Sequence, residues 1–159
     1  MIPKKIHYIW LGKNSYPNLM DICINSWREK LPDYEIIEWN EENLDFYNVV
    51  EGNRFLQECY KRKLWAFLSD YFRIKVLYEE GGVYLDTDMQ IVKNIDRLLE
   101  NDFFIGAESE KVISAGIIGV VPKHQLIKRI LDFYEEDIWN EPIFTIPDII
   151  TKVINREYD

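Results

Sequence analysis

Residues 64–78, LWAFLSDYFRIKVLY, are apolar on nearly every face of a helix, and no other stretch constrains the chain as strongly. A helix with no wet side has to be covered by other elements. It reads from about residue 64 to residue 80 and stops at Gly81-Gly82, a glycine C-terminal signal. Val83, Tyr84 and Leu85 follow at once, a short β-prone run that reads as a buried strand. The chain therefore has to place this helix and this strand together inside one core.

Polar residues interrupt this buried unit at two places. Ser69, Asp70 and Arg73 fall on one stripe of the helix. Asp70 and Arg73 stand at i, i+3 spacing and can pair with each other. On a wet surface such a pair contributes little. Buried, each ion costs several kcal/mol to desolvate, as an order of magnitude, so the pair needs further partners. A polar ligand and a purely structural network both answer that need. The second interruption is Asp86 and Asp88, just past the strand, where open α/β folds place ligand sites. In extended backbone, residues two apart project to the same side. Two carboxylates so placed repel unless a proton or a cation lies between them. A solvated turn, a phosphatase of the haloacid dehalogenase type and a divalent-metal site all remain open for D-x-D alone. In the phosphatase family the pair stands near the N-terminus and precedes a small residue or turn, whereas Met89-Gln90 follows here.

The rest of the chain supplies an α/β context. Residues 5–10 and 34–39 read as strands, as do 103–107 and 116–121. Helical spacing covers residues 19–27, 126–134 and 146–153, with short helices at 44–49, 54–60 and 95–100 and a strand or turn at 89–92. Strands alternating with helices give a mostly parallel central sheet flanked by helices. At 159 residues, without repeats or linkers, the expectation is a single domain over 1–159. No apolar run approaches the ~20 residues of a membrane-spanning helix. Cys23 and Cys59 lack metal-ligand spacing and read as reduced thiols in preference to a disulfide. The net charge of −9 argues against a nucleic-acid partner. An anionic ligand would need positive charge brought to the site, and a cation held by the aspartates supplies it.

The stretch AFLSDYFRIKVLYEEGGVYLDTD, together with the opening IPKKIHYIWLG, resembles the DXD-containing sugar transferases of glycosyltransferase family 32, with a related arrangement in the clostridial glucosylating toxins. The resemblance implies a GT-A-type nucleotide-diphospho-sugar transferase fold and a metal-dependent transfer with retention of configuration. It implies a nucleotide-sugar donor, UDP-sugar in preference to GDP-sugar, and Mn2+ or Mg2+ as cofactor. Ile9 and Trp10 match positions lining the nucleotide base. Ser69, Asp70 and Arg73 match residues around the donor sugar and its phosphate side, and Tyr84 one near the ribose or diphosphate. Asp86 matches an aspartate that contacts the donor and reaches the metal; Asp88 matches the direct metal ligand. Asp70, Arg73 and Asp86 are thus the expected catalytic residues. The implied acceptor is a glycan or lipid-linked glycan in capsular or other surface polysaccharide synthesis. The implied location is cytoplasmic, with peripheral contact at the inner face of the membrane.

Two departures qualify the resemblance. Ser114 in ISAGIIGVVPKHQLI stands where the family often has asparagine, and Thr145-Ile146-Pro147 stands where it has T-G-P. His124 reads as a helix-start or surface residue in preference to a catalytic one. The family also continues past the last helix into a segment that adds metal and donor contacts, so its C-terminal part is expected to be short or absent before Asp159. A nucleotide-sugar-binding module of the same fold, without turnover, is the second reading.

Overall fold

The computed structural model of the chain describes residues 1–158. Strand β1 (Lys5–Ile9) leads to helix α1 (Asn18–Lys30) and strand β2 (Glu35–Trp39). Helices α2 (Phe46–Glu51), α3 (Arg54–Lys61) and α4 (Trp65–Glu80) follow, then strand β3 (Gly82–Leu85). A 3-10 turn at Asp96–Glu100 precedes the long hairpin of β4 (Phe103–Ser109) and β5 (Val112–Val120). The chain closes with α5 (Gln125–Asp132), one π-helical turn at Phe133–Asp137, and α6 (Ile146–Tyr158). The strands form one sheet in the order β2-β1-β3-β5-β4. β1 is parallel to β2 and β3, and β5 is antiparallel to both β3 and β4. Four strands therefore run one way and β5 the other, a mostly parallel sheet.

Strand alternation builds the two faces. Ile6, Tyr8, Val83 and Leu85 point to one side, where Met20, Cys23, Ile24 and Trp27 of α1 cover them. Ile9 and Tyr84 point to the other, where α4 packs with the helices around it. β3 is buried on both faces, which explains why its sequence runs apolar without a polar alternate. Helix α4 buries Leu68, Phe72, Ile74 and Leu77 completely, as expected for a helix with no wet side. Cys23 and Cys59 are free and buried.

A buried histidine fixes the step from α4 into β3. His7 is fully buried, and its Nε2 lies 2.8 Å from the Gly81 carbonyl oxygen. The Trp39 indole N–H donates to His7 Nδ1 at 3.0 Å, so Nε2 carries the ring's proton and donates to Gly81. Burial lowers the His7 pKa, which keeps the ring neutral. Gly81 takes φ +63, and a Cβ there would sit 2.5 Å from Pro122; at Gly82, φ +108, it would sit 2.9 Å from the Lys5 carbonyl oxygen. Both glycines are therefore required by the turn.

The structure corrects three expectations. Residues 89–92, expected as a strand or turn, form no strand, and the turn falls earlier, at 86–89, because the chain leaves the sheet after Leu85. β5 begins at Val112 rather than at residue 116, with a register shift against β4 between Ile105 and Gly106. The helix expected over 126–134 keeps α-helical form only to Asp132, where a π turn takes over and buries Phe133 and Tyr134.

Candidate donor-binding site

Arg73 organises the site from inside the protein. It is 6% exposed and reaches from α4 across the end of β3. Its Nη2 lies 3.2 Å from Asp70 and 3.1 Å from Asp86, and its Nη1 donates to the Ala115 carbonyl oxygen at 2.8 Å. The guanidinium carbon stands 4.2 Å from the Tyr84 ring centroid. Tyr84 in turn donates its hydroxyl proton to Asp86 Oδ1 at 3.0 Å. Ser69 lies on the same stripe of α4 and acts on the Tyr84 hydroxyl, lowering its pKa. Ser69, Asp70, Arg73, Tyr84 and Asp86, five of the residues expected from sequence, thus form one cluster.

The electrostatics of the cluster follow from burial. Asp70 is pushed up to about 6 by burial, against the pull of Arg73 and the Ile146 backbone N–H and with help from the Asp86 charge. Burial pulls the Arg73 pKa down, but Tyr84, Asp86 and Asp70 outweigh it and keep the guanidinium charged. Tyr84 is raised, first by burial, and remains a neutral donor.

Asp86 begins a turn rather than continuing the strand. Its N–H donates to the Gly116 carbonyl oxygen at 2.8 Å, and the Met89 N–H donates to the Asp86 carbonyl oxygen at 3.0 Å. Asp86 and Asp88 are the first and third residues of that β-turn, so the two-residue strand alternation expected for the pair does not hold past Leu85. Asp88 is exposed and Asp86 half-buried. A Cβ at Gly116 would lie 3.1 Å from Asp86 Oδ2, so the glycine leaves room beside this oxygen.

The remaining expected residues divide. Trp10, half-buried, donates its indole N–H to the Asn14 carbonyl oxygen at 2.8 Å and meets Tyr16 edge-on at 5.4 Å. It lines a cavity of about 360 Å3 beyond the ends of β1 and β2, with Lys13, Asn14, Tyr16, Glu38 and Asn40. Ile9, in contrast, is 5% exposed and packs into the core, away from that cavity. His124 caps α5, accepting from the Leu126 N–H at 3.2 Å, as its reading as a helix-start residue requires.

Sequence reasoning missed several contributors. The Ala115 carbonyl has no signal in any side chain. Tyr134 has a buried hydroxyl without a partner among the described residues, and burial followed by the Asp70 charge raises its pKa. Gly116 did carry a signal, since a glycine inside a strand often marks a close approach.

No group of three or more His, Cys, Asp or Glu side chains that could hold a metal occurs among the described residues. Two carboxylates still suit magnesium or manganese, because such ions take one or two carboxylates and complete their shell with phosphates and water. The donor set fits a metal completed by a diphosphate.

The fold is that of a known sugar-transferring domain. The solved structure titled "PaToxG Glycosyltransferase" superposes with a TM-score of 0.76 over 99% of this chain and 69% of that one, at 17% identity. Residues 17–105 match the family described as "Glycosyltransferase sugar-binding region containing DXD motif", and the chain belongs to that family. The match spans the Asp70–Arg73–Asp86 cluster and begins after β1. Among relatives, "Inositol phosphoceramide mannosyltransferase 3" of Schizosaccharomyces pombe is 27% identical over 130 residues, 82% of this chain and 36% of its own length. "Lactosylceramide 4-alpha-galactosyltransferase" of Pongo pygmaeus is 25% identical over 145 residues, 89% of this chain and 57% of its own. The chain thus spans less than two thirds of the length of either relative. Among the described residues, no helix is long and apolar enough to cross a membrane.

Proposed function

We propose that this chain is a retaining glycosyltransferase that moves a sugar from a nucleoside diphosphate, UDP in preference to GDP, to a lipid-linked glycan or other glycan. Mn2+ or Mg2+ is its cofactor. The observation that carries the reading is the tethering of Asp86. One of its oxygens is held by Arg73 and the Tyr84 hydroxyl, and the other has open space at Gly116. A carboxylate held this way is preorganised to receive a cation, and Asp88 offers a second, exposed carboxylate on the same turn.

When bound, the metal would supply Lewis-acid stabilisation of the leaving diphosphate. Asp70 would accept hydroxyls of the donor sugar, and Trp10 would stack on the base. Arg73 acts through the carboxylates it orients, since Asp70, Asp86 and Ala115 already engage its Nη atoms. A retaining glycosidase needs a carboxylate nucleophile close to its acid. Same-face displacement, with the leaving phosphate deprotonating the acceptor, needs none, and it is the course we assign. The sphingolipid names of the relatives favour the lipid-linked acceptor. Surface polysaccharide assembly at the cytoplasmic face of a membrane is a setting that supplies one.

The test is nucleotide release from a panel of UDP- and GDP-sugars with manganese, for wild type and Asp86→Asn. Release from one donor, lost in the variant, supports transfer or slow donor hydrolysis. Donor binding without release would establish the binding-module reading instead. Release of phosphate from simple esters, with no attack on any donor, would establish the phosphatase.

A further inference from the structure

Helix α3 and the loop after it carry a charge opposite to that of the protein. Across residues 54–64, RFLQECYKRKL, Arg54, Lys61, Arg62 and Lys63 accompany a single acid, Glu58, in a chain of net charge −9. Arg62 meets Glu58 at 3.5 Å with its side chain 70% exposed. Lys61 and Lys63 are exposed and make no ion pair among the described residues.

Uncovered apolar side chains sit against two of these cations, Arg54 and Arg62. Trp139, Phe144 and Leu64 are 48%, 42% and 39% exposed. With Phe55, Cys59 and Phe67 they line a groove of about 550 Å3 that Arg54, Glu58 and Arg62 also border. Phe55 stacks on Phe144 at 6.1 Å and meets Trp139 edge-on at 6.0 Å. The Arg54 guanidinium lies 4.8 Å from the Trp139 ring centroid.

The groove adjoins the donor-side cluster. Phe67 stands one turn before Asp70 on α4, and Phe144 two residues before Ile146, whose N–H acts on Asp70.

We propose that this face docks on an anionic lipid surface, with the basic run against lipid phosphates and Trp139, Phe144 and Leu64 in the headgroup layer. Aromatic side chains favour that layer, and basic residues near an anionic leaflet add attraction that ends within a Debye length. Either signal alone gives marginal attachment; the two together hold a protein at a surface. A soluble anion would be held by donors converging in a polar cavity, whereas these cations flank an apolar groove. Docking here brings lipid headgroups beside Asp70. The attachment stands apart from the transfer reaction; its use, presenting a lipid-linked acceptor, rests on the reading above.

The test is flotation of the whole chain with phosphatidylcholine vesicles, with and without phosphatidylserine. Wild type should bind the phosphatidylserine vesicles and release as salt rises. The triple variant Lys61→Gln, Arg62→Gln, Lys63→Gln, all exposed, should bind on the order of 100-fold more weakly, from the attraction of each cation to the surface. Trp139→Ser with Phe144→Ser should weaken binding at every salt concentration, with circular dichroism reporting an intact fold. Absence of wild-type binding would overturn the proposal, as would binding unchanged in both variants. So would full displacement by soluble glycerophosphoserine, which would identify a soluble-anion site. Flotation uses neither donor nor metal, so its failure and a failure of donor turnover are separate results.

Discussion

Replacing Asp70 by asparagine should stabilise the free protein at neutral pH while disabling its site. Asp70 has a side chain 15% exposed and a pKa of about 6 against an ordinary 3.8. The raised value means that the folded state holds the proton more tightly than the unfolded state. Below pH 3.8 both states are protonated and the group contributes nothing. As pH rises from 3.8 to about 6 the unfolded state ionises first, so stability falls through that window and levels off above it. A difference of 2.2 between those two values corresponds to about 3 kcal/mol, an upper figure because Asp70 and Arg73 titrate as a coupled pair. Asparagine keeps the shape and an acceptor for Arg73 without the charge. Urea unfolding of Asp70→Asn and wild type across pH 3.5–8 should give equal stabilities at the acid end. The variant should gain about 1–3 kcal/mol above pH 6, or several degrees in Tm for a chain of this size. Using the difference between the two proteins cancels His7, whose lowered pKa makes stability fall as pH drops below 6.5. A variant less stable than wild type at pH 8, by a margin that grows with pH, would refute the reasoning. It would mean that the Arg73 ion pair outweighs the burial of the carboxylate.

Three further outcomes are expected. Arg73→Lys should cost about 3–5 kcal/mol in chemical unfolding, because a lysine cannot hold Asp70, Asp86 and the Ala115 carbonyl at once; a cost below 1 kcal/mol would contradict the central role given to the guanidinium. Gly116→Ala should leave Tm within a few degrees but weaken metal-dependent donor binding about tenfold, the size of a single perturbed contact, because its Cβ would crowd Asp86 Oδ2; scanning calorimetry reads the Tm and titration calorimetry the binding. Trp39→Phe removes the N–H that His7 Nδ1 accepts and should cost about 1–3 kcal/mol, read by urea unfolding.

Much of this architecture is legible in the chain because local and tertiary demands agree there. An all-apolar helix followed by two glycines and an apolar strand can be satisfied only at the centre of a layered α/β fold, and α4 and β3 lie there. Asp70 and Arg73 were readable as a buried pair in need of partners, and Asp86, Tyr84 and Ala115 supply them. What stayed hidden depends on contacts between distant segments. The Ala115 carbonyl and the Tyr134 hydroxyl reach the cluster through the packing of β5 and the π turn, which leave no periodic trace in sequence. Nothing in the strand pattern of residues 5–10 marks His7; its contact with Gly81 is oriented by Trp39 from a neighbouring strand. The two-residue spacing of Asp86 and Asp88 misled because strand periodicity ends where the backbone turns, and the turn begins at Asp86 itself.

In the proposed reaction, Asp86 and Asp88 recruit a divalent cation to hold a nucleoside diphosphate. Calorimetric titration of nucleotide sugars, with and without manganese, on wild type and Asp88→Ala tests it most directly. We predict that one donor binds wild type only when manganese is present, and that Asp88→Ala, equally well folded, loses that binding. Binding that is the same with and without metal, or the same in both proteins, would contradict the claim.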